Sequence, residues 1–203
     1  MRLALGISRI DDVVVSSEDE EILAEARAHG ATTDRRSPEL AADDTPTAEV
    51  LREYLDRRPS VEALVLLQPT SPFRDPADVE ACLARLENAP SVVTVTALEH
   101  PPEWSFRIRA EDHLEPLKGW DALVGRRQDA PPSFRLNGAV YAVRANRLRC
   151  GHGLVDDETV AVVMPAGRSV DIDTELDLEF ARLLFDRGHV GRSSQPSDGG
   201  GRS

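Results

Sequence analysis

The sequence contains few cysteines and few aromatic residues. Only two cysteines, Cys82 and Cys150, occur among 203 residues, and aromatic residues make up 4% of the chain. The cysteines do not have the spacing of metal ligands, and Cys82 lies among apolar residues of a predicted helix, where a small core side chain is expected. This cysteine usage favours a reducing compartment, so we expect a cytoplasmic protein.

The sequence also lacks an excess of positive charge and long apolar runs. Acidic residues number 36 and basic residues 24, which gives a formal net charge of −12. A nucleic-acid partner would need a basic face, so this class of partner is excluded. No apolar run approaches the length of a transmembrane helix and no signal-peptide pattern is seen, so we expect no membrane partner. A site for an anionic substrate must therefore gather its arginines locally.

Short apolar runs alternate with segments that carry helix start signals. Hydrophobic residues make up 40% and charged residues 30% of the chain, as in an ordinary globular protein. The alternation predicts an α/β fold, with a mostly parallel sheet and helices on both faces. The predicted strands are 13–15, 64–67, 91–96, 139–143 and 160–164. The predicted helices are 18–29, capped by Ser17, and 46–57, capped by Thr45 with Pro46 at the first position. Two more are predicted at 76–88, capped by Asp75, and at 174–187, which Asp173 could cap.

Two regions depart from this alternation. Residues 100–132 are rich in proline and charge and contain both tryptophans, which predicts a β-hairpin arm projecting from the domain. Exposed aromatic residues on such an arm would form a partner surface, although packing back onto the domain is an equal alternative. Residues 189–203 are rich in glycine and serine, so we expect a disordered tail after a domain at 1–188.

The stretch 64–74 ends a predicted buried parallel strand in a polar loop. Pro69 and Pro72 stiffen this loop, and Asp75 with Pro76 then starts a helix. Open α/β sheets bind ligands at such strand ends. Gln68 can both donate and accept hydrogen bonds there, so it suits an uncharged polar part of a substrate, or it ties down its own loop.

Three other groups of residues could bind an anionic substrate. The loop 36–47 enters a helix N-terminus, whose free N–H groups and dipole suit phosphate or ribose oxygens, although a plain helix cap is also possible. The arginine cluster around 126–135 suits carboxylates and phosphates, or is a solvated basic turn. Asp171 and Asp173 alternate and point to one side, which suits Mg²⁺ beside a triphosphate.

These stretches together resemble one enzyme family. LLQPTSPFR at 66–74, the loop 36–47, Arg-Arg-Gln-Asp at 126–129 with Asn137-Gly138, and Ser-Val-Asp-Ile-Asp-Thr-Glu at 169–175 are similar to motifs of the CMP-sialic acid synthetases, the acylneuraminate cytidylyltransferases. The motifs occur in the family's order over about residues 3–185. The resemblance implies a Rossmann-like fold of the nucleotide-diphospho-sugar transferase type, with a β-hairpin dimerisation arm.

The resemblance also implies a reaction and a set of site residues. CMP would be transferred from CTP to N-acylneuraminate or a related nonulosonic acid, with release of pyrophosphate, by a Mg²⁺-dependent homodimer. The implied catalytic residue is Arg127. The implied nucleotide-binding residues are Arg36, Thr45 and Thr47. The implied sugar-binding residues are Gln68, Gln128, Arg135, Asn137 and Gly138, and the implied metal ligands are Asp171 and Asp173.

One feature of the family is missing from the sequence. The family opens with a strand and a glycine-rich basic loop that holds the CTP phosphates, and nothing before Asp11 matches them. We therefore expect an N-terminally incomplete domain that has two unpaired strand edges and little synthetase activity. The alternatives are a truncated, catalytically impaired homologue that acts as a binding or dimerisation module, and a nucleotidyltransferase for another sugar acid.

Overall fold

The structure is a computed structural model that describes residues 1–42 and 45–188. The tail predicted at 189–203 lies outside the described residues. The described residues form short helices and strands that alternate for most of the chain. The helices are α1 (Arg2–Leu5), α2 (Glu20–Ala28), α3 (Thr47–Asp56), α4 (Pro76–Leu86), α5 (Ala145–Arg149) and α6 (Glu175–Asp186). The strands are β1 (Val14–Ser17), β2 (Thr32–Arg35), β3 (Ala63–Leu66), β4 (Ser91–Ala97), β5 (Phe106–Ile108), β6 (Leu114–Pro116), β7 (Phe134–Arg144) and β8 (Val160–Val163).

The main sheet has the strand order β3-β7-β4-β8. Strand β7 is antiparallel to both β3 and β4, whereas β4 and β8 are parallel. Strands β1 and β2 form a separate parallel pair. The α/β class is confirmed, but β3 differs from the buried parallel strand that was predicted. It pairs with an antiparallel neighbour and all four of its residues are only partly buried, because β7 pairs with just one of its edges.

Among residues 1–42 and 45–188, strands β1, β2, β3 and β8 each pair on one side only. Strand β1 pairs only with β2, and β3 pairs only with β7. Helix α3 links the two sheets. Leu55 of α3 packs with Leu148 in a buried cluster beside β3, and Arg57 just after α3 forms two hydrogen bonds to the buried Asp34 of β2, at 2.7 and 3.1 Å.

The apolar core lies on both faces of the main sheet. One cluster joins α4 and the segment after α1 to β4 and β7, and it includes Val79, Cys82 and Val140. Cys82 is fully buried, as predicted, and burial raises the pKa of its thiol to about 12. The second cluster packs α3 and α5 against the other face. No helix in the described ranges is long and apolar enough to cross a membrane.

Three predicted helix caps are wrong. Asp19 caps α2, because Ser17 is the buried last residue of β1 and its hydroxyl instead accepts a hydrogen bond from the Asp19 N–H. Pro46, rather than Thr45, precedes the first residue of α3. Thr174 caps α6 in a reciprocal capping box with Asp177, which leaves the carboxylate of Asp173 free of that role.

The predicted arm contains a short hairpin. Strands β5 and β6 are antiparallel, with Phe106 opposite Pro116. The arm is also held by polar contacts, since the Trp104 indole N–H donates to the Val124 carbonyl at 2.7 Å. Several of its apolar side chains remain exposed, with Ile108 73% and Trp120 62% accessible. The hairpin itself is confirmed, and its role in dimerisation stays a prediction.

Candidate functional site

Four polar or small residues meet at the end of β3. Gly138 lies in β7 with a φ of +71°, and a Cβ atom there would be 2.7 Å from Gln68 Oε1, 3.0 Å from Ser71 Oγ and 3.5 Å from Asp171 Oδ2. Glycine is required at this position both for the left-handed conformation and for this close approach. We call Gln68, Ser71, Gly138 and Asp171 the Gly138 cluster.

The loop that carries Gln68 is braced from within and from β7. The Ser71 hydroxyl donates to the Asn137 carbonyl at 3.0 Å. The Arg74 guanidinium donates to the backbone carbonyls of Gln68 and Ser71, and burial lowers its pKa to about 10. Arg74 is therefore still charged at neutral pH, and it holds both ends of the loop. Asp75 then caps α4, as predicted, in a reciprocal capping box.

The segment that carries Asp171 is anchored to the same loop. Its Ile172 N–H donates to the Thr70 carbonyl at 2.9 Å, and Val170 and Ile172 pack with the buried Phe73. The segment is irregular rather than a strand. Asp171 Oδ1 is buried without a hydrogen-bond partner, and an anionic oxygen left in this state is suited to a cation.

The two predicted metal ligands differ in their surroundings. Asp171 is partly buried, whereas Asp173 is exposed. The described residues contain no group of three or more His, Cys, Asp or Glu side chains that could hold a metal ion. The two carboxylates of Asp171 and Asp173 nevertheless fit Mg²⁺, because Mg²⁺ is commonly held by one or two carboxylates together with substrate phosphates and water.

Asn137 is not open to a ligand in this structure. Its side chain is fully buried, and its Oδ1 accepts hydrogen bonds from Thr94 Oγ1 at 2.7 Å and from the Ala139 N–H at 3.2 Å. Its Nδ2 donates to Ser169 Oγ at 2.9 Å and faces Met164 Sδ at 3.3 Å. These contacts use both ends of the amide, so Asn137 lies behind Gly138 rather than beside it in a pocket.

The predicted arginines lie in two places. The side chain of Arg135 reaches the Ser169 carbonyl at 3.4 Å, near the segment of Asp171. Arg127 and Gln128 lie in an exposed turn of the arm, where Arg127 contacts the Leu98 carbonyl at 3.4 Å. Arg127 lines a groove of about 200 Å³ with prolines and Phe134. None of the hydrogen bonds or ion pairs found for residues 1–42 and 45–188 joins Arg127 or Gln128 to the Gly138 cluster.

The predicted nucleotide contacts form a third group. Arg36 donates to the Ser16 carbonyl at 2.9 Å, and its Nε is buried without a partner. The Thr45 hydroxyl donates to the Glu39 carbonyl at 3.4 Å, and Thr47 is exposed at the start of α3. Arg36 follows the end of β2 and Thr47 begins α3, and the nucleotide role of these three residues stays a prediction.

Three residues near the cluster were not singled out from the sequence. Ser71 and Arg74 lie in the stretch that was interpreted as a rigid loop, and the sequence carries no sign that the Ser71 hydroxyl is buried or that Arg74 turns back onto the loop. Tyr141 is half-buried, and burial together with the nearby Asp171 carboxylate raises the pKa of its phenol. Nothing in the sequence placed Tyr141 beside Asp171.

Comparison with known proteins identifies the family. A family model described as cytidylyltransferase matches residues 1–147. N-acylneuraminate cytidylyltransferase B of Danio rerio is 32% identical over 198 residues, which cover 95% of this chain and 46% of the relative. CMP-N,N'-diacetyllegionaminic acid synthase of Legionella pneumophila is 27% identical over 191 residues, covering 90% of this chain and 82% of the relative. N-acylneuraminate cytidylyltransferase of Escherichia coli is 29% identical over 182 residues, covering 88% of this chain and 43% of the relative.

Solved structures support the same fold. CMP:2-keto-3-deoxy-manno-octonic acid synthetase complexed with CTP superposes with a TM-score of 0.66 at 17% identity, covering 92% of this chain and 85% of that chain. 4-Diphosphocytidyl-2C-methyl-D-erythritol synthase from Anaerococcus prevotii gives a TM-score of 0.63 at 16% identity, with the same coverage. The chain spans about half the length of the two curated N-acylneuraminate cytidylyltransferases above. The chain belongs to the cytidylyltransferase family, that of the CMP-sialic acid synthetases.

Proposed function

We propose that this chain is a cytidylyltransferase domain that transfers CMP from CTP to N-acylneuraminate or a related nonulosonic acid and releases pyrophosphate. The observation that carries the proposal is the Gly138 cluster, in which Gln68 and Asp171 converge at the end of β3. Asp171 Oδ2 faces Gly138, and its other carboxylate oxygen, Oδ1, is buried without a hydrogen-bond partner. The names of the relatives, which are synthetases for sialic and legionaminic acids, support this substrate class.

In this proposal each group of residues has one task. Arg36, Thr45 and Thr47 hold the cytosine and ribose of CTP, and Gln68 with Gly138 orients the sugar acid so that its anomeric hydroxyl faces the α-phosphate. Asp171 and Asp173 would hold Mg²⁺, which neutralises phosphate charge when bound. Arg135, Gln128 and Arg127 bind the carboxylate of the sugar acid and the developing charge, so that catalysis depends on positioning and electrostatics.

We also propose that the protein is a cytoplasmic homodimer. The arm exposes apolar side chains that a second copy of the chain would cover, including Ile108 at 73% and Trp120 at 62% accessibility. Large apolar and aromatic side chains of this kind are typical anchors of protein interfaces. Arg127 lies in the arm and has no hydrogen bond to the Gly138 cluster among the described residues, so a dimer in which the arm reaches the partner's cluster would complete a shared site.

The experiment that tests the proposal is a pyrophosphate-release assay on protein expressed from its full reading frame. CTP and Mg²⁺ are supplied with N-acetylneuraminate, with a legionaminic-type acid, or with no acid. We expect release that requires the sugar acid and stops when the metal is chelated. Release with neither acid present, or binding of CTP and acid without release, would contradict the transferase proposal, and the second result would favour a binding module.

A further inference from the structure

Three buried polar side chains form a connected network behind Gly138. Thr94, Asn137 and Ser169 are each at most 1% accessible. Thr94 Oγ1 donates to Asn137 Oδ1 at 2.7 Å, Asn137 Nδ2 donates to Ser169 Oγ at 2.9 Å, and Ser169 Oγ donates to the Pro165 carbonyl at 2.9 Å. We call these three side chains the Asn137 network. Burying so many polar groups is costly unless each is paired, and here each is.

The network replaces backbone pairing where the sheet is irregular. The register between β4 and β7 shifts between Val93 and Val95. At this break Thr94 Oγ1 accepts the Val140 N–H at 2.9 Å, and Asn137 Oδ1 accepts the Ala139 N–H at 3.2 Å. The side chains of Thr94 and Asn137 therefore accept the hydrogen bonds of the two backbone N–H groups that follow Gly138, in place of carbonyls of a neighbouring strand. This stabilises the left-handed conformation of Gly138.

The same network holds the two segments that face Gly138. The Asn137 carbonyl accepts the Ser71 hydroxyl at 3.0 Å, which fixes the loop that carries Gln68. The Asn137 amide donates to Ser169, which precedes Asp171 by two residues. Asn137 thus forms hydrogen bonds to both segments, which also meet directly through the Ile172 N–H and the Thr70 carbonyl, and it is closed to ligands itself.

We propose that Asn137 is a positioning residue that sets the placement of Asp171 relative to Gln68, acting through Ser169 on one side and Ser71 on the other. The inference rests on the proposed function, in which Asp171 binds the metal ion and Gln68 the sugar acid. It assigns to Asn137 a different role from the direct sugar contact that the family resemblance implies.

The test uses near-isosteric variants and a matched control. Ser169→Ala removes the hydroxyl that Asn137 holds, Thr94→Val removes the hydroxyl that orients Asn137, and Thr94→Ser retains it. Ser91→Ala is the control, because Ser91 is also a buried hydroxyl of β4, at 1% accessibility, and bonds to Thr159 at 2.8 Å away from the cluster. All variants are made in the full chain, and their melting temperatures are measured alongside.

The first measurement is the affinity for Mn²⁺, used as the probe for the metal site, by water-proton relaxation without nucleotide. Loss of a residue that orients a metal ligand typically costs about 10–100-fold in affinity. We expect a loss of about 10-fold in Ser169→Ala and Thr94→Val, recovery in Thr94→Ser, and no loss in Ser91→Ala at a similar melting temperature. Equal Mn²⁺ affinity in Ser169→Ala and Ser91→Ala would overturn the inference.

The second measurement is amide hydrogen exchange, which keeps the inference testable if the chain transfers no CMP. Thr94→Val should speed exchange both at Ser71 and at Ile172, whose N–H bonds to the Thr70 carbonyl, and Thr94→Ser should not. Faster exchange confined to residues 137–140 would refute positioning, whatever the activity. If exchange and Mn²⁺ affinity change as expected but no variant or parent releases pyrophosphate, only the proposed function fails.

Discussion

The substitution Gly138→Ala tests two reasons for glycine at this position: its left-handed backbone conformation and the close approach of neighbouring side chains. At a φ of +71° an alanine costs about 1–2 kcal/mol in backbone conformation. The new Cβ would also press on Ser71 Oγ at 3.0 Å, whose hydrogen bond to the Asn137 carbonyl is worth about 1 kcal/mol. The expected destabilisation is therefore about 2–3 kcal/mol, or roughly 4–12 °C in melting temperature for a chain of this size.

Gly151→Ala is the matched control, since Gly151 has a φ of +89° but nothing within 4 Å of the position that a Cβ atom would take. It should lose only the backbone contribution, about 1–2 kcal/mol. Because the Cβ at residue 138 would sit 2.7 Å from Gln68 Oε1, only Gly138→Ala should displace Gln68 and weaken binding of N-acetylneuraminate in a calorimetric titration. Equal sugar-acid affinity in the two variants would refute the placement of Gln68 and Gly138 in the substrate site.

Three further predictions concern the metal ligand, the sheet contact and the arm. Asp171→Asn should raise the Mg²⁺ concentration needed for half-maximal turnover, with a change in melting temperature of only a few degrees; unchanged Mg²⁺ dependence would remove the metal assignment. Asp34→Asn should lower the free energy of unfolding by about 3 kcal/mol at pH 7, the low end for a broken buried ion pair because Arg57 is half exposed. Hydrogen bonds from Arg57 lower the pKa of Asp34. The extra free energy of unfolding of the parent is therefore fully present above the ordinary carboxyl pKa near 4 and is lost as the pH falls through the depressed pKa. Denaturant titrations that give the same difference in free energy between parent and variant at pH 7 and at pH 3 would contradict this prediction. Replacing both Ile108 and Trp120 by serine should convert a dimer into monomers in sedimentation analysis, and a parent already monomeric at high concentration would defeat the dimer proposal.

Local signals in the sequence predicted most elements of the fold but not their pairing. The run at 139–143 is apolar in the same way whether its strand is parallel or antiparallel, so β7 could not be identified as the antiparallel strand between β3 and β4. Its first half was hidden because Arg135 and Asn137 are atypical of a strand interior. Strand β2, Thr32–Arg35, was missed because its residues are polar, and it is a strand through its pairing with β1.

Local signals in the sequence also predicted only part of the candidate site. A rigid loop at a strand end and an acidic pair were sufficient to indicate Gln68 and Asp171, and the family resemblance added Gly138. The buried position of Asn137 was not predictable, because a sequence does not show which polar side chains are satisfied by others far along the chain. Thr94 and Ser169, its two side-chain partners, lie 43 and 32 residues away.

The proposed transfer of CMP to a nonulosonic acid can be tested directly through its products. Protein expressed from its full reading frame is incubated with CTP, N-acetylneuraminate and Mg²⁺, and the products are resolved by ³¹P nuclear magnetic resonance. We expect equal amounts of CMP-sugar and pyrophosphate in the parent and strongly reduced amounts in Asp171→Asn. Formation of CMP-sugar at the same rate in Asp171→Asn, or turnover of CTP without a CMP-sugar in the parent when either sialic-type or legionaminic-type acids are supplied, would contradict the proposed function.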